Sequence, residues 1–203
     1  MLAIVDYGVG NLYSLRSSLT RLDIDHEVAQ TPESLRRADH IILPGVGAFA
    51  DAAQKLADSG MREALLEEVG KGKPLLGICL GMQLLFDRSY EYGVHPGLGL
   101  IPGEVCPLKD DIAPGLKVPH IGWNRLDILK DDAMFKGFES GQHVYYVHSY
   151  YAKNCRDWTL ATSEYSIPVT GVVRRGNVCG TQFHPEKSGA AGLVLLRAFA
   201  ALE

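Results

Sequence analysis

The stretch Gly77-Ile78-Cys79-Leu80-Gly81 sets one thiol inside an apolar run, with a glycine two positions to each side. That spacing suits a sharp strand-to-helix turn in which neighbouring β-carbons would collide. Such a turn lifts its central side chain to the carboxyl edge of a sheet, at the start of the next helix, where the helix dipole favours a thiolate. A cysteine in an apolar run is ordinarily a packed hydrophobe. The glycines and the strand-to-helix context argue instead for a nucleophile, and a nucleophile requires a base.

His184 and Glu186, in "GTQFHPEKSG", offer that base. Two apart on extended chain they point the same way, and Pro185 between them is expected to keep the segment out of helix. A carboxylate beside an imidazole fixes its tautomer and stabilises the imidazolium. Standing alone, His-Pro-Glu fits a surface turn; the Cys79 elbow gives it chemical meaning. His120 and His148 lie in apolar β-like runs, where a satisfied structural histidine is expected. A thiolate attacking a carbonyl creates an oxyanion that needs N–H donors. Leu80 supplies one from the elbow, and Val46 in "PGVG" (44–47) offers a second, although "PGVG" also reads as a plain turn. "DYGVGN" at 6–11 begins like a dinucleotide fingerprint but has Tyr13 where the third glycine belongs, so nucleotide binding is not expected.

Positioning these residues falls to the elements around them. Residues 2–6, 40–44 and 74–78 read as buried strands, with a shorter strand at 26–29. Helices are expected at 11–22, at 32–37 behind Thr31-Pro32, at 61–72 and after Gly81. This alternation predicts a mostly parallel sheet covered on both faces. From residue 93 the texture changes to glycine, proline and short β-rich runs, which predict a mixed or antiparallel extension of the same sheet. A closing helix is expected over 189–202. No repeat, low-complexity segment or linker breaks the chain, so 1–203 is expected to form a single domain, burying roughly 70% of its unfolded surface.

A net charge of −4 argues against nucleic acid or anionic membrane as the main partner. The apolar run at 74–86 falls short of the ~20 residues a membrane span needs, and the N-terminus lacks the basic region of a signal peptide. Cys79, Cys106, Cys155 and Cys179 show neither a CxxC pair nor zinc-like spacing. Free thiols in a cytoplasmic protein, without a metal, are the expectation.

Taken together, these motifs resemble those of the class I (triad) glutamine amidotransferases. The similarity runs nearly the whole chain, through "DYGVGN", "LPGVGAF", "GICLGMQLLF", "GLGLIPG", "VPHIGWN", "YYVHSYY" and "GTQFHPEKSG". The resemblance implies a flavodoxin-like three-layer α/β/α fold with a mostly parallel central sheet and an added β-rich C-terminal half. It implies Cys79 as nucleophile, His184 as base and acid, and Glu186 as the residue that orients His184. Val46 and Leu80 would form the oxyanion hole, and Gly45, Gly47, Gln83, Glu91, Ser149 and Tyr150 would bind glutamine. Asn11, Trp123, Tyr145 and Lys187 would face a (β/α)8-barrel cyclase subunit. The implied chemistry is hydrolysis of glutamine to glutamate and ammonia through a thioester, with no metal or organic cofactor. The ammonia would pass through the barrel to a phosphoribulosyl-formimino-carboxamide ribonucleotide in histidine biosynthesis. Two alternatives stand beside this: a glutaminase serving another synthase, such as that of pyridoxal phosphate or anthranilate, and a non-catalytic flavodoxin-like binding module with a structural Cys79. Residues 153–158 match no motif.

Overall fold

A computed structural model describes residues 1–202. In its first part, β1 (Leu2–Val5), α1 (Leu12–Arg21), β2 (His26–Ala29), α2 (Pro32–Arg37), β3 (His40–Gly45), α3 (Phe49–Asp58), α4 (Met61–Gly70) and β4 (Leu75–Cys79) follow in order, and β4 runs directly into α5 (Leu80–Leu84). The remainder is β5 (Arg88–Ser89), β6 (His95–Pro96), β7 (Glu104–Pro107), β8 (His120–Arg125), β9 (Asp127–Ile128), β10 (His143–His148), β11 (Tyr150–Lys153), β12 (Thr159–Glu164), β13 (Pro168–Arg175), β14 (Val178–Thr181) and α6 (Gly189–Ala200). No described helix is long and apolar enough to cross a membrane.

The main sheet has eight strands in the order β2-β1-β3-β4-β14-β13-β12-β9. From β2 to β14 the neighbours run parallel, and from β14 to β9 they run antiparallel. The parallel part has the doubly wound flavodoxin order, with β14 taking the fifth position. Alternation along β1 divides the core. Ala3 and Val5 face Phe49, Leu56 and Leu65 of α3 and α4, whereas Leu2 and Ile4 face Leu15 and Leu19 of α1 and Leu196 and Phe199 of α6. Each such apolar side chain contributes roughly 1.5–3 kcal/mol on burial. At the start of α1, the Asn11 side chain accepts from the Ser14 N–H at 3.3 Å and satisfies one of the unpaired donors there.

One element is added and two expectations are corrected. Residues 49–58, for which the sequence analysis assigns no element, form α3, with Phe49, Ala52 and Leu56 buried along one face. The β-rich half is not one extension of the sheet. Only β13, β12 and β9 extend it, while β8 and β10 form a two-stranded ribbon and β11, β7, β5 and β6 a second small sheet. Pro185–Lys187 is a 3-10 turn rather than extended chain, because proline at the first position of a helical turn loses no hydrogen bond and has a suitable φ.

What brings α5 against the sheet is the absence of side chains. A Cβ on Gly81 would lie 1.8 Å from the Leu43 carbonyl oxygen, and one on Gly77 would lie 2.6 Å from the Gly81 oxygen. A Cβ on Gly45 would lie 2.7 Å from the Gly81 nitrogen, and one on Gly180, paired with Gly77 across β14 and β4, would lie 2.7 Å from Met82 Cγ. By contrast, Gly72 ends α4 in the left-handed region at φ +96° with open space around it. The difference yields a prediction. Gly81→Ala is expected to destabilise the fold by about 3 kcal/mol or more through overpacking against immovable backbone, and Gly72→Ala by about 1 kcal/mol through backbone conformation alone. Urea unfolding of the two variants checks this; equal losses would mean that the α5 contact tolerates a methyl group.

Candidate active site

Cys79 sits at the junction of β4 and α5 with φ 55° and ψ −110°, a conformation that L-residues rarely adopt. Such strain, of order 1–3 kcal/mol, persists only where the surroundings fix it, and here the glycine contacts of α5 do so. The parallel pairing of β4 with β14 sets Ile78 opposite Thr181. Cys79 is therefore the last residue of β4, and His184 lies three residues beyond the carboxyl end of the adjacent β14. This is the edge at which open α/β sheets place their ligands.

His184 is 2% exposed and its Nδ1 lies 2.8 Å from Glu186 Oε1. Burial pulls its pKa down, but hydrogen bonding to Cys79 and Glu186 and their negative charges outweigh burial and raise it to about 9. The imidazole thus carries its proton at neutral pH, beside the Cys79 sulfur. The turn that holds it is tied to β10. The His184 N–H donates to the Tyr145 carbonyl at 2.9 Å, the Tyr145 N–H donates to Ser188 Oγ at 2.9 Å, and Ser188 Oγ donates to the His184 carbonyl at 2.7 Å.

Cys79 and His184 share a pocket of about 340 Å³ with Val46, Gly47, Leu80, Gln83, Glu91, Ser149 and Tyr150, within the size range of small-molecule sites. Gly45 is not on its wall; it lies beneath, against Gly81, so close approach to α5 requires a glycine there. Gly47 stands at φ +98° on the exposed rim. The Glu91 carboxylate accepts from the Phe49 N–H at the start of α3. Gln83 donates from Nε2 to the Tyr150 carbonyl at 3.0 Å and to Gln182 Oε1 at 3.1 Å. Both of its N–H groups are thus engaged, which leaves Oε1 to accept from a ligand.

Sequence reasoning missed several participants. Gln182, fully buried, directs its Nε2 toward Cys79 Sγ at 3.8 Å; its place two residues before His184 was the available signal. Tyr7 donates to the Pro44 carbonyl at 2.8 Å, behind the "PGVG" loop. Burial and the nearby Cys79 raise the Tyr7 pKa, so it remains a neutral donor. "DYGVGN" therefore braces "PGVG": Gly10 also lies against the Pro44 ring. His148 borders the pocket, and burial lowers its pKa to about 3. It is no rival to His184 as a proton carrier.

Of the residues expected at a partner face, Trp123 is 56% exposed and meets Tyr145 edge-on, with ring centroids 5.9 Å apart. Lys187 is exposed and forms no ion pair among the described residues. Asn11 is half-buried in its capping position. Arranged this way, the site can deliver a sulfur nucleophile to a carbonyl carbon and a proton to the leaving group.

Comparison with known proteins gives the family of the chain. Residues 3–201 match the family model "Glutamine amidotransferase class-I". The chain is 48% identical over 202 residues to the imidazole glycerol phosphate synthase subunit HisH of Bacillus licheniformis, covering 98% of this chain and 95% of that one. It is 47% identical over 201 residues to the subunit of the same name from Wolinella succinogenes, covering 98% of each. Among solved structures, a glutamine amidotransferase superimposes with a TM-score of 0.76 at 22% identity, covering 98% of this chain and 99% of that one. PurLQS from Thermotoga maritima does so with a TM-score of 0.74 at 20% identity, covering 98% and 96%. The chain belongs to the class-I glutamine amidotransferases and, within them, to the HisH group of imidazole glycerol phosphate synthase subunits.

Proposed function

We propose that this chain hydrolyses glutamine to glutamate and ammonia as the glutaminase subunit of an imidazole glycerol phosphate synthase, acting in the cytoplasm as one 203-residue domain. The observation that carries the chemistry is the Cys79 elbow opening into the same pocket as the His184–Glu186 pair. The names of the relatives support the assembly. Cys79 Sγ attacks the side-chain amide carbon of glutamine, and the N–H groups of Leu80 and Val46 stabilise the oxyanion. His184 gives its proton to the departing nitrogen, so that ammonia leaves and a γ-glutamyl thioester remains. Water then attacks the thioester; His184 takes the proton, and glutamate departs. Gln83 Oε1 and the Glu91 carboxylate attract the α-ammonium of glutamine, with Gly47, Ser149 and Tyr150 around it. Ammonia passes to a (β/α)8-barrel cyclase subunit seated on Trp123, Tyr145 and Lys187, with Asn11 at the margin. There it enters the ribonucleotide precursor, giving imidazole glycerol phosphate and aminoimidazole carboxamide ribotide.

Cys79→Ala tests the division of labour. The complex should lose glutamine-dependent synthesis and retain synthesis from added ammonium salts, whereas loss of both would place cyclisation chemistry on this chain. The His184 pKa sets the pH dependence. Because its proton is held below about pH 9 and lost above it, glutamine turnover should decline as pH rises through that range. Glu186→Gln removes one cause of the elevation, so its basic limb should move to lower pH with partial activity kept; an unmoved limb would show that Glu186 does not tune His184. A third test concerns the second oxyanion donor. Removing one donor costs about 3–4 kcal/mol of barrier, or 10²–10³ in rate. If the Val46 N–H is brought to bear only on docking, the chain alone should turn over glutamine slower by that factor than the complex with the cyclase's ligand bound. Equal rates would show a preformed hole.

A further inference from the structure

His148 and His120 are buried, at 5% and 4% exposure, and neither has a place in the hydrolysis described above. They pair across the ribbon of β10 and β8, and their hydrogen bonds admit only one consistent arrangement of protons. His148 Nδ1 lies 2.9 Å from the Tyr150 carbonyl oxygen. A carbonyl can only accept, so Nδ1 carries the hydrogen and Nε2 of the neutral ring must accept. Its partner, 3.0 Å away, is His120 Nδ1, which therefore donates. His120 Nε2 is left as the acceptor for Asn124 Nδ2 at 3.5 Å. The Asn124 amide is itself oriented, since Nδ2 donates to the Glu164 carbonyl at 2.9 Å and Oδ1 accepts from the Arg125 N–H at 2.8 Å. The His120 ring is held between Tyr146 and Tyr165, at centroid distances of 4.9 and 4.0 Å.

The chain of donors converges on the Tyr150 carbonyl, which accepts from both His148 Nδ1 and Gln83 Nε2. Gln83 is the residue whose free Oε1 borders the pocket, and Ser149 and Tyr150 form the wall beside it. A carbonyl fixed by two donors fixes in turn the amide that depends on it. We propose that His148 is a positioning residue for glutamine binding, acting through the Tyr150 carbonyl on Gln83 and the Ser149–Tyr150 wall, with His120 locking its tautomer. The proposal rests on the assignment of glutamine as substrate. It concerns the recognition of the amino acid, not the reacting thiol.

The test uses steady-state glutamine hydrolysis by the complex with its cyclase subunit. His148→Phe keeps a planar aromatic ring and removes the donor, whereas His148→Asn places an amide N–H near the position of Nδ1. The loss of a neutral hydrogen bond of this kind is expected to raise KM for glutamine about tenfold in His148→Phe, with kcat changed by no more than about threefold. His148→Asn should recover most of the KM. An unchanged KM in His148→Phe, an equal rise in both variants, or a fall confined to kcat would overturn the proposal. Should His148→Phe not fold, ¹⁵N NMR of the wild-type chain labelled at histidine decides: His148 must be neutral and protonated at Nδ1. The opposite tautomer or an imidazolium at neutral pH would refute it. Absence of glutamine turnover in the wild-type complex would instead refute the substrate assignment, which separates the two failures.

Discussion

The closeness of α5 to the central strands governs the rest of this molecule. Gly77 and Gly180, paired side by side on β4 and β14, leave a depression into which Gly81 and Met82 descend. Gly45 on β3 removes the remaining obstacle. A side chain at any of these positions would push α5 away, relax the turn at Cys79 and separate the thiol from the end of β14. The strained φ of Cys79 follows from this packing rather than from local preference. Because β14 lies next to β4, the same contact fixes where the polypeptide carrying His184 leaves the sheet. Sulfur and imidazole come from positions more than a hundred residues apart, and backbone pairing brings them together.

Within one pocket, environment gives two imidazoles opposite characters. His184 and His148 are both buried, and burial alone favours the neutral ring in each. The difference lies in the partners. His184 faces a sulfur and a carboxylate, and its hydrogen bonds to them, with their electrostatic attraction, outweigh desolvation. His148 faces a carbonyl and another neutral imidazole, which reward one fixed tautomer and no charge. A second imidazolium beside His184 would also repel it. Keeping His148 neutral therefore helps His184 to remain charged, and the proton available for the leaving group is held at one place.

Much of this was legible in the sequence because local physics dictated it. The buried strands, Pro32 at the first turn of α2 and the small-x-Cys-x-small elbow are signals that a few residues carry by themselves. Less legible was α3. Its apolar positions Phe49, Ala52 and Leu56 have helical spacing, but it follows so closely on "PGVGA" that the glycines obscured its start. The β-rich half misled for another reason. Runs such as "HVYYVHSYY" announce strands without announcing partners, and partners here are distant: β10 pairs with β8 and β11 with β7. Gln182 and Tyr7 were hidden because each gains its role only from a neighbour far along the chain. The Pro185 turn was misread by treating proline solely as a helix breaker, when at the first position of a turn it is an initiator.

The ribbon of β8 and β10 joins the outer surface to the site by the period-two geometry of a strand. Along β8, Ile121, Trp123 and Arg125 point outward, and His120 and Asn124 lie on the inner side. Opposite Trp123 stands Tyr145. Its half-buried ring meets the exposed Trp123 edge-on, while its backbone N–H and C=O hold the turn of His184 from both sides. One strand thus carries an apolar surface, the support of the charged histidine and, at its end, the neutral one. The ribbon is joined to His184 through the Tyr145 backbone, and to Gln83 through His148 and the Tyr150 carbonyl. The two routes separate by chemistry: the first bears on proton transfer and the second on recognition of the amino acid. Both connections meet in a single ribbon, beside a main sheet anchored by the glycines of α5.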